Sequence, residues 1–225
     1  MNIHKALIVA AHPDDDILGC GGLLSRFRGK IQFKVLFIAE GTSARFDNNY
    51  GSDCIAEINH RTKCAEDALS YLGVKNISVN NLKCCSLDTI GHLEVNKIIE
   101  KEIRLFQPDT VFTHSDCDSN QDHHIVYNSS IIATRPGSVV KNLISYEVLS
   151  STEWGFSKTF DPNLFFDLPE VNIEEKVNAL EFYNTEVKDF PYPRSAKGVR
   201  TLANFRGLQS GYENAEAFKV IRSCI

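Results

Sequence analysis

The 225-residue chain has no apolar run approaching the roughly 20 residues needed to cross a bilayer. Nor does it carry a basic surplus: 24 lysines and arginines face 29 aspartates and glutamates, giving a net charge of -5 and a pI near 5.8. That balance excludes the basic stripe with which nucleic-acid-binding domains meet phosphates. No CxxC pair occurs among the seven cysteines, and their odd number argues for reduced thiols in the cytoplasm rather than a disulfide framework. The adjacent Cys84 and Cys85 are read as free thiols on the same ground. Met1 to Lys5 does not lead into a signal peptide, because the short apolar run that follows belongs to a first strand. Flexible linkers, repeats and low-complexity tracts are also missing. What is left is one domain over residues 1–225, with 43% hydrophobic and 24% charged residues and enough chain for a good-sized core.

Short Val- and Ile-rich runs at 6–11, 33–39, 77–79, 110–114 and 143–148 read as strands buried on both faces. Helical patterns at 19–27, 53–72, 93–106 and 121–133 alternate with them. Gly73 is placed to stop the second helix, and Pro108 follows the third. Alternation at this spacing predicts an α/β fold, a Rossmann-like three-layer sandwich around a mostly parallel sheet. Right-handed crossovers then gather the loops after the strands on one rim. From about residue 150 the texture changes to an aromatic stretch holding Trp154, followed by helices at 173–183 and from Ser195 to about residue 205. This reads as a C-terminal elaboration on the same domain. Gly19, Gly21 and Gly22 fit close packing of a helix on the sheet better than a phosphate loop, since neither GxGxxG nor a Walker pattern is present.

The chemistry-bearing residues stand where these strands stop. Ala11-His12-Pro13-Asp14-Asp15-Asp16 follows the first apolar run, and Thr113-His114 through Asn120-Gln121-Asp122-His123 follows the fourth. His12 and Asp15 are three residues apart across a turn stiffened by Pro13, and His123 offers a third ligand. Two imidazoles and one carboxylate form an open zinc set, with a position left for water; iron or cobalt would also fit these donors. Asp14 must point away from Asp15, so it is free to act as general base and acid. Helix capping explains one of the three aspartates but not all of them together with His12.

His12-Pro13-Asp14-Asp15 with Asp122-His123 resembles the zinc-dependent deacetylases of the PIG-L/LmbE-like family. Pro191-Tyr192-Pro193-Arg194-Ser195 and Ala215-Glu216-Ala217-Phe218 resemble a carbohydrate-cluster branch of it. The resemblance implies hydrolysis of an N-acyl group, most simply N-acetyl, from a small-molecule amino sugar or sugar nucleotide. Alternatives are a non-sugar amide substrate or a non-catalytic glycan- or nucleotide-binding module. It implies His12, Asp15 and His123 as ligands of Zn2+ or another divalent metal, Asp14 as the base, and Asp122 as a residue orienting a ligand. Asn120 departs from the family, which often has histidine there, so His114 or Asn120 is expected to serve the developing oxyanion, His114 being favoured because it can carry charge. Asp16 replaces a usual glutamate. Arg61 matches a substrate-contacting position, Trp154 could stack on a pyranose, and Arg194 and Arg206 could meet a phosphate. Glu40 is the next candidate base. Neither a nucleic acid nor a membrane is expected as a partner, while a homo-oligomer is compatible with the sequence.

Overall fold

The computed structural model describes residues 2–48 and 51–224; Met1, the first residue of the segment read as lacking a signal peptide, lies outside them. β1 (Lys5–Ala10) is followed by α1 (Asp15–Arg26), β2 (Gln32–Ala39), α2 (Ser52–Tyr71), β3 (Asn76–Leu82), α3 (His92–Phe106), β4 (Thr110–Thr113), α4 (Gln121–Ala133) and β5 (Asn142–Tyr146). The chain closes with β6 (Leu164–Asp167), α5 (Glu170–Glu181), α6 (Ala196–Ser210) and β7 (Ala215–Ser223). The sheet runs β3-β2-β1-β4-β5-β7-β6. All pairings from β3 to β5 are parallel, while β7 pairs antiparallel with both β5 and β6.

β1 shows why the layers number three. Ala6, Ile8 and Ala10 pack into one apolar cluster with Ile17 and Leu23 of α1, Leu69 of α2 and Leu180 of α5. The alternating Leu7, Val9 and Ala11 pack into a second cluster with Val95 and Ile99 of α3 and Ile125 of α4. A strand covered on both faces needs apolar residues along its buried length, and β1 supplies them from Ala6 to Ala10. The glycines of α1 bring it close to the sheet and to α5. A Cβ on Gly19 would stand 2.2 Å from Cδ2 of the buried Tyr146, and one on Gly22 2.3 Å from Cδ1 of Leu168.

The sheet order also locates the site. From β1 the chain moves through β2 to β3, then returns to lay β4 on the other side of β1. The carboxyl ends of β1 and β4 therefore mark the topological switch point of the sheet, where His12 from one loop meets Asp122 from the other at 2.9 Å.

Two parts of the fold differ from the sequence expectation. α1 begins at Asp15, so Asp15 and Asp16 lie in its first turn rather than ahead of it. β6 and β7 were not expected as strands. They extend the parallel sheet, with Glu216 of β7 accepting from the backbone N–H groups of Gly22 and Leu23 and pairing with Lys176 of α5 at 2.6 Å. The Ala215–Phe218 segment is thus a buried clamp between helix and sheet.

Candidate active site

The turn after β1 is tied by its own backbone. Asp15 Oδ2 accepts from the His12 N–H at 2.8 Å, which fixes the carboxylate beneath the His12 ring. Asp14 is forced to φ +114°, a left-handed conformation costly for a residue with a Cβ. This turn sends the Asp14 and Asp15 carboxylates to different partners.

Both site imidazoles are oriented by buried carboxylates. His12 Nε2 donates to Asp122 Oδ2 at 2.9 Å, and Asp122 also accepts from the N–H groups of Cys85 (2.7 Å) and Leu87 (3.1 Å). His123 Nδ1 lies 3.0 Å from Asp118 Oδ2, which also accepts from Ser151 Oγ and Thr152 Oγ1. A carboxylate can only accept here, so the proton sits on His12 Nε2 and on His123 Nδ1. The opposite nitrogens, His12 Nδ1 and His123 Nε2, then face Asp15 Oδ2 at 3.5 and 3.3 Å. One ligand atom from each of His12, Asp15 and His123 lies within 4.8 Å of the others.

Two imidazole lone pairs aimed at one carboxylate repel unless a cation joins them. His123 Nε2 is buried without a hydrogen-bond partner, as such a donor set would leave it. These three residues therefore fit a divalent ion. Without one, protons take its place. Burial lowers the His123 pKa, but Asp15 and Asp118 overcome that and push it up to about 9. His12 is likewise raised well above the ordinary imidazole value, the hydrogen bonds to Asp122 and Asp15 outweighing its burial.

Beside this set lies a buried charge network. Asp14 Oδ2 accepts from Arg194 Nη1 at 2.7 Å, and Arg61 Nη2 lies 3.0 Å from Asp14 Oδ1. Both guanidinium groups also hold Glu186, which Arg45 reaches from the rim. Burial pushes the Asp14 carboxyl above its usual range, over the opposing pull of Arg194 and Arg61. Asp14 is thus a buried carboxylate whose affinity for a proton exceeds that of a solvated one.

His12, Asp15 and His123, which could together hold a metal ion, thus lie beside the buried Asp14 where β1 and β4 end. The profile of the PIG-L family, described as GlcNAc-PI de-N-acetylase, matches residues 7–134. The chain belongs to the PIG-L family. Uncharacterized deacetylase YaiS of Escherichia coli (strain K12) is 30% identical over 184 residues, covering 78% of this chain and 88% of that protein. Diacetylchitobiose deacetylase of Thermococcus kodakarensis is 24% identical over 231 residues, covering 98% and 84%. The fold matches N,N'-diacetylchitobiose deacetylase from Pyrococcus horikoshii with a TM-score of 0.78 at 22% identity, over 98% of this chain and 85% of that one. Among the described residues, no helix is long and apolar enough to cross a membrane.

In this PIG-L domain several sequence expectations take a different form. His114 is fully buried and accepts the Ala11 N–H on Nε2 at 2.8 Å. Burial and the neighbouring His123 lower its pKa well below the ordinary value, so it is neutral and not the charged donor anticipated. Its ring stacks on that of His123, the centroids 3.9 Å apart. Asn120 caps α4, its Oδ1 accepting from the Asp122 N–H at 2.9 Å, which leaves only Nδ2 for a substrate oxygen.

The arginines are also committed. Arg61 is buried and donates Nε to Pro13 O, so it positions Asp14 instead of reaching solvent for substrate. Arg194 also donates to Ser150 Oγ. Arg206 forms a bidentate pair with Glu147 (2.7 and 2.5 Å), which occupies the group expected to meet phosphate. Glu40 accepts from the N–H groups of Thr42, Ser43 and Cys84 and anchors its loop, so it is no substitute base. Trp154 is exposed on a short 3-10 turn, three residues beyond Ser151. Asp118 and Glu186 escaped the sequence reading. Asp118 had a faint signal in its place between strand end and helix, whereas Glu186 had none.

Proposed function

We propose that this PIG-L domain is a zinc-dependent N-deacetylase of an N-acetylated amino sugar. The observation that carries the reading is the pair of carboxylate-locked imidazoles converging on Asp15, with the buried Asp14 held separately beside them. A divalent ion held by His12, Asp15 and His123 would polarise the amide carbonyl and lower the pKa of an attacking water toward ~7. Asp14 takes the proton of that water and returns it to the leaving amine, so one carboxylate serves as base and then acid. Arg61 and Arg194 fix its two oxygens in place during both transfers. Asp122 and Asp118 keep the ligand nitrogens in their metal-binding tautomers. His114, neutral and stacked, contributes position and not charge. The amide donor for the developing oxyanion is assigned to Asn120 Nδ2.

The names of the diacetylchitobiose deacetylases support a sugar substrate. The pairing of Arg61, Arg194 and Arg206 with carboxylates favours a free amino sugar over a nucleotide-linked one, because none of the three is left to meet a diphosphate. Acetate release is to be measured with free N-acetylhexosamines, their nucleotide-linked forms and sugar-free acetamides, before and after chelation. Free sugars are expected to react fastest, and only in metal-loaded protein. Asp14→Asn should lower turnover about 10²-fold or more with metal content unchanged. Turnover near wild type in that variant would remove Asp14 from the proton path, and preference for a sugar-free amide would replace the substrate class.

A further inference from the structure

The turn that follows β5 carries two consecutive serines, and each is tied to a different half of the site. Ser151 Oγ donates to Asp118 Oδ2 at 2.9 Å, the oxygen that also faces His123 Nδ1. Ser150 Oγ instead accepts from Arg194 Nε. Nη1 of the same guanidinium donates to Asp14 Oδ2 at 2.7 Å and to Glu186 Oε2 at 2.9 Å. Ser151 thus reaches His123 through Asp118, and Ser150 reaches Asp14 through Arg194.

Ser150 holds its place against its backbone preference. It is buried at φ +72°, the third residue of a turn closed by the Ser151 N–H on Val148 O at 3.3 Å. A turn with positive φ at that place favours glycine, because a Cβ is strained there. Glu153 maintains the conformation: its two carboxylate oxygens accept from the Ser150 N–H at 2.6 Å and the Ser151 N–H at 3.2 Å. Thr152 Oγ1 closes the turn from the other side, accepting from the Val148 N–H at 2.7 Å. A glycine would suit this backbone better and supply no hydroxyl. Strained residues persist where the surroundings over-determine them, and they cluster at functional sites. What the serine adds here is its contact with Arg194.

We propose that Ser150 is a positioning residue for Asp14, acting through Arg194. A guanidinium held only at its Nη1 end can swing about the Asp14 and Glu186 carboxylates on its flexible stem. Anchoring Nε as well fixes the plane of the donor fork, and with it the direction in which Asp14 Oδ2 is held. Both ends of the Asp14–Arg194–Ser150 chain are then set by left-handed backbone, φ +114° at Asp14 and +72° at Ser150. The inference rests on Asp14 being the base of the proposed hydrolysis.

Ser150→Gly and Ser150→Ala, compared in metal-loaded protein, separate the hydroxyl from the backbone. Both lack the hydroxyl, so kcat for acetate release should fall about tenfold or more in each, with KM and metal content unchanged. Only Ser150→Ala keeps a Cβ at φ +72°, so the urea midpoint should be higher for Ser150→Gly. Turnover that followed stability, with Ser150→Gly near wild type, would reduce Ser150 to a structural role and overturn the proposal. The nitrogen-15 NMR signal of the Arg194 Nε–H, identified by its loss in Arg194→Lys, reads the contact without substrate. It should shift, and exchange faster with water, in both Ser150 variants. An unchanged signal in both overturns the proposal whatever the turnover. A wild type that releases no acetate removes the deacetylase reading and the proposal with it, whereas an active wild type matched by both variants removes the role of Ser150 alone.

Discussion

Replacing Asp118 with asparagine tests how the site is held together. Four donors meet this one carboxylate: His123 Nδ1 at 3.0 Å, Ser151 Oγ at 2.9 Å and Thr152 Oγ1 at 2.7 Å on Oδ2, and the Asn120 N–H at 2.9 Å on Oδ1. An asparagine has a single acceptor oxygen. With that oxygen at the Oδ2 position, its amino group points at the Asn120 N–H; turned round, it points at His123 Nδ1. The first arrangement strands one buried donor and the second the three that met Oδ2, so at least one is lost, at a cost of about 1–3 kcal/mol. The change also removes the negative charge that would strengthen His123 as a ligand of the proposed metal. Outer carboxylates of this kind are worth about 10–100-fold in metal affinity, or about 1.4–2.7 kcal/mol. Zinc affinity of Asp118→Asn should fall by that factor in competition with a chromogenic chelator.

A pH signature accompanies this loss. Although burial raises it, the Asp118 pKa is drawn down to about 2 by His123, from an ordinary 3.8. A carboxyl depressed on folding stabilises the protein above its unfolded pKa, and that contribution disappears as pH falls through the folded value. The metal-free wild type should therefore exceed the variant by about 2 kcal/mol above pH ~4, the gap closing toward pH ~2. Zinc affinity within twofold of wild type, with the fold intact, would refute the claim that Asp118 sets the His123 tautomer.

Three further outcomes follow from the same geometry. Metal-free protein should lose thermal stability as pH rises from 6.5 through about 9, because His123 has a raised folded pKa whose contribution is complete below 6.5; a melting temperature that stays flat or rises over that range contradicts the protonated Asp15–His123–Asp118 arrangement. Gly19→Ala would drive a Cβ to 2.2 Å from Tyr146, whose hydroxyl is tied to Val9 O at 2.8 Å and whose ring abuts His114. It should cost about 3 kcal/mol in urea unfolding, and an unchanged midpoint would show that α1 can withdraw from the sheet. Glu186→Gln removes one of two carboxylates facing Arg45, Arg61 and Arg194, leaving buried positive charge uncompensated. A loss of about 3 kcal/mol is expected from the same measurement, and full stability in this variant would mean that Asp14 alone balances the cluster.

What the sequence determined by itself is what local chemistry can encode. β1 and β2 are buried on both faces, so their apolar runs leave little choice of structure, and the alternation of strands with helices dictates a parallel sheet. His12 and Asp15 are neighbours through a single turn, and right-handed crossovers bring the loop carrying His123 to the same rim. β6 and β7 were illegible because they lie beyond the parallel core: β6 is a four-residue edge strand, only half buried, and β7 runs antiparallel with its outer half partly exposed.

Only the tertiary structure decided the charges. Arg61 begins in sequence among polar helix residues, yet Glu186, 125 positions away, and Asp14 draw it into the interior. His114 reads as a titratable group until burial and the Ala11 N–H make it a neutral acceptor. The protonation and availability of a side chain depend on desolvation and on charges within a few ångströms, and in this fold those neighbours come from opposite ends of the chain.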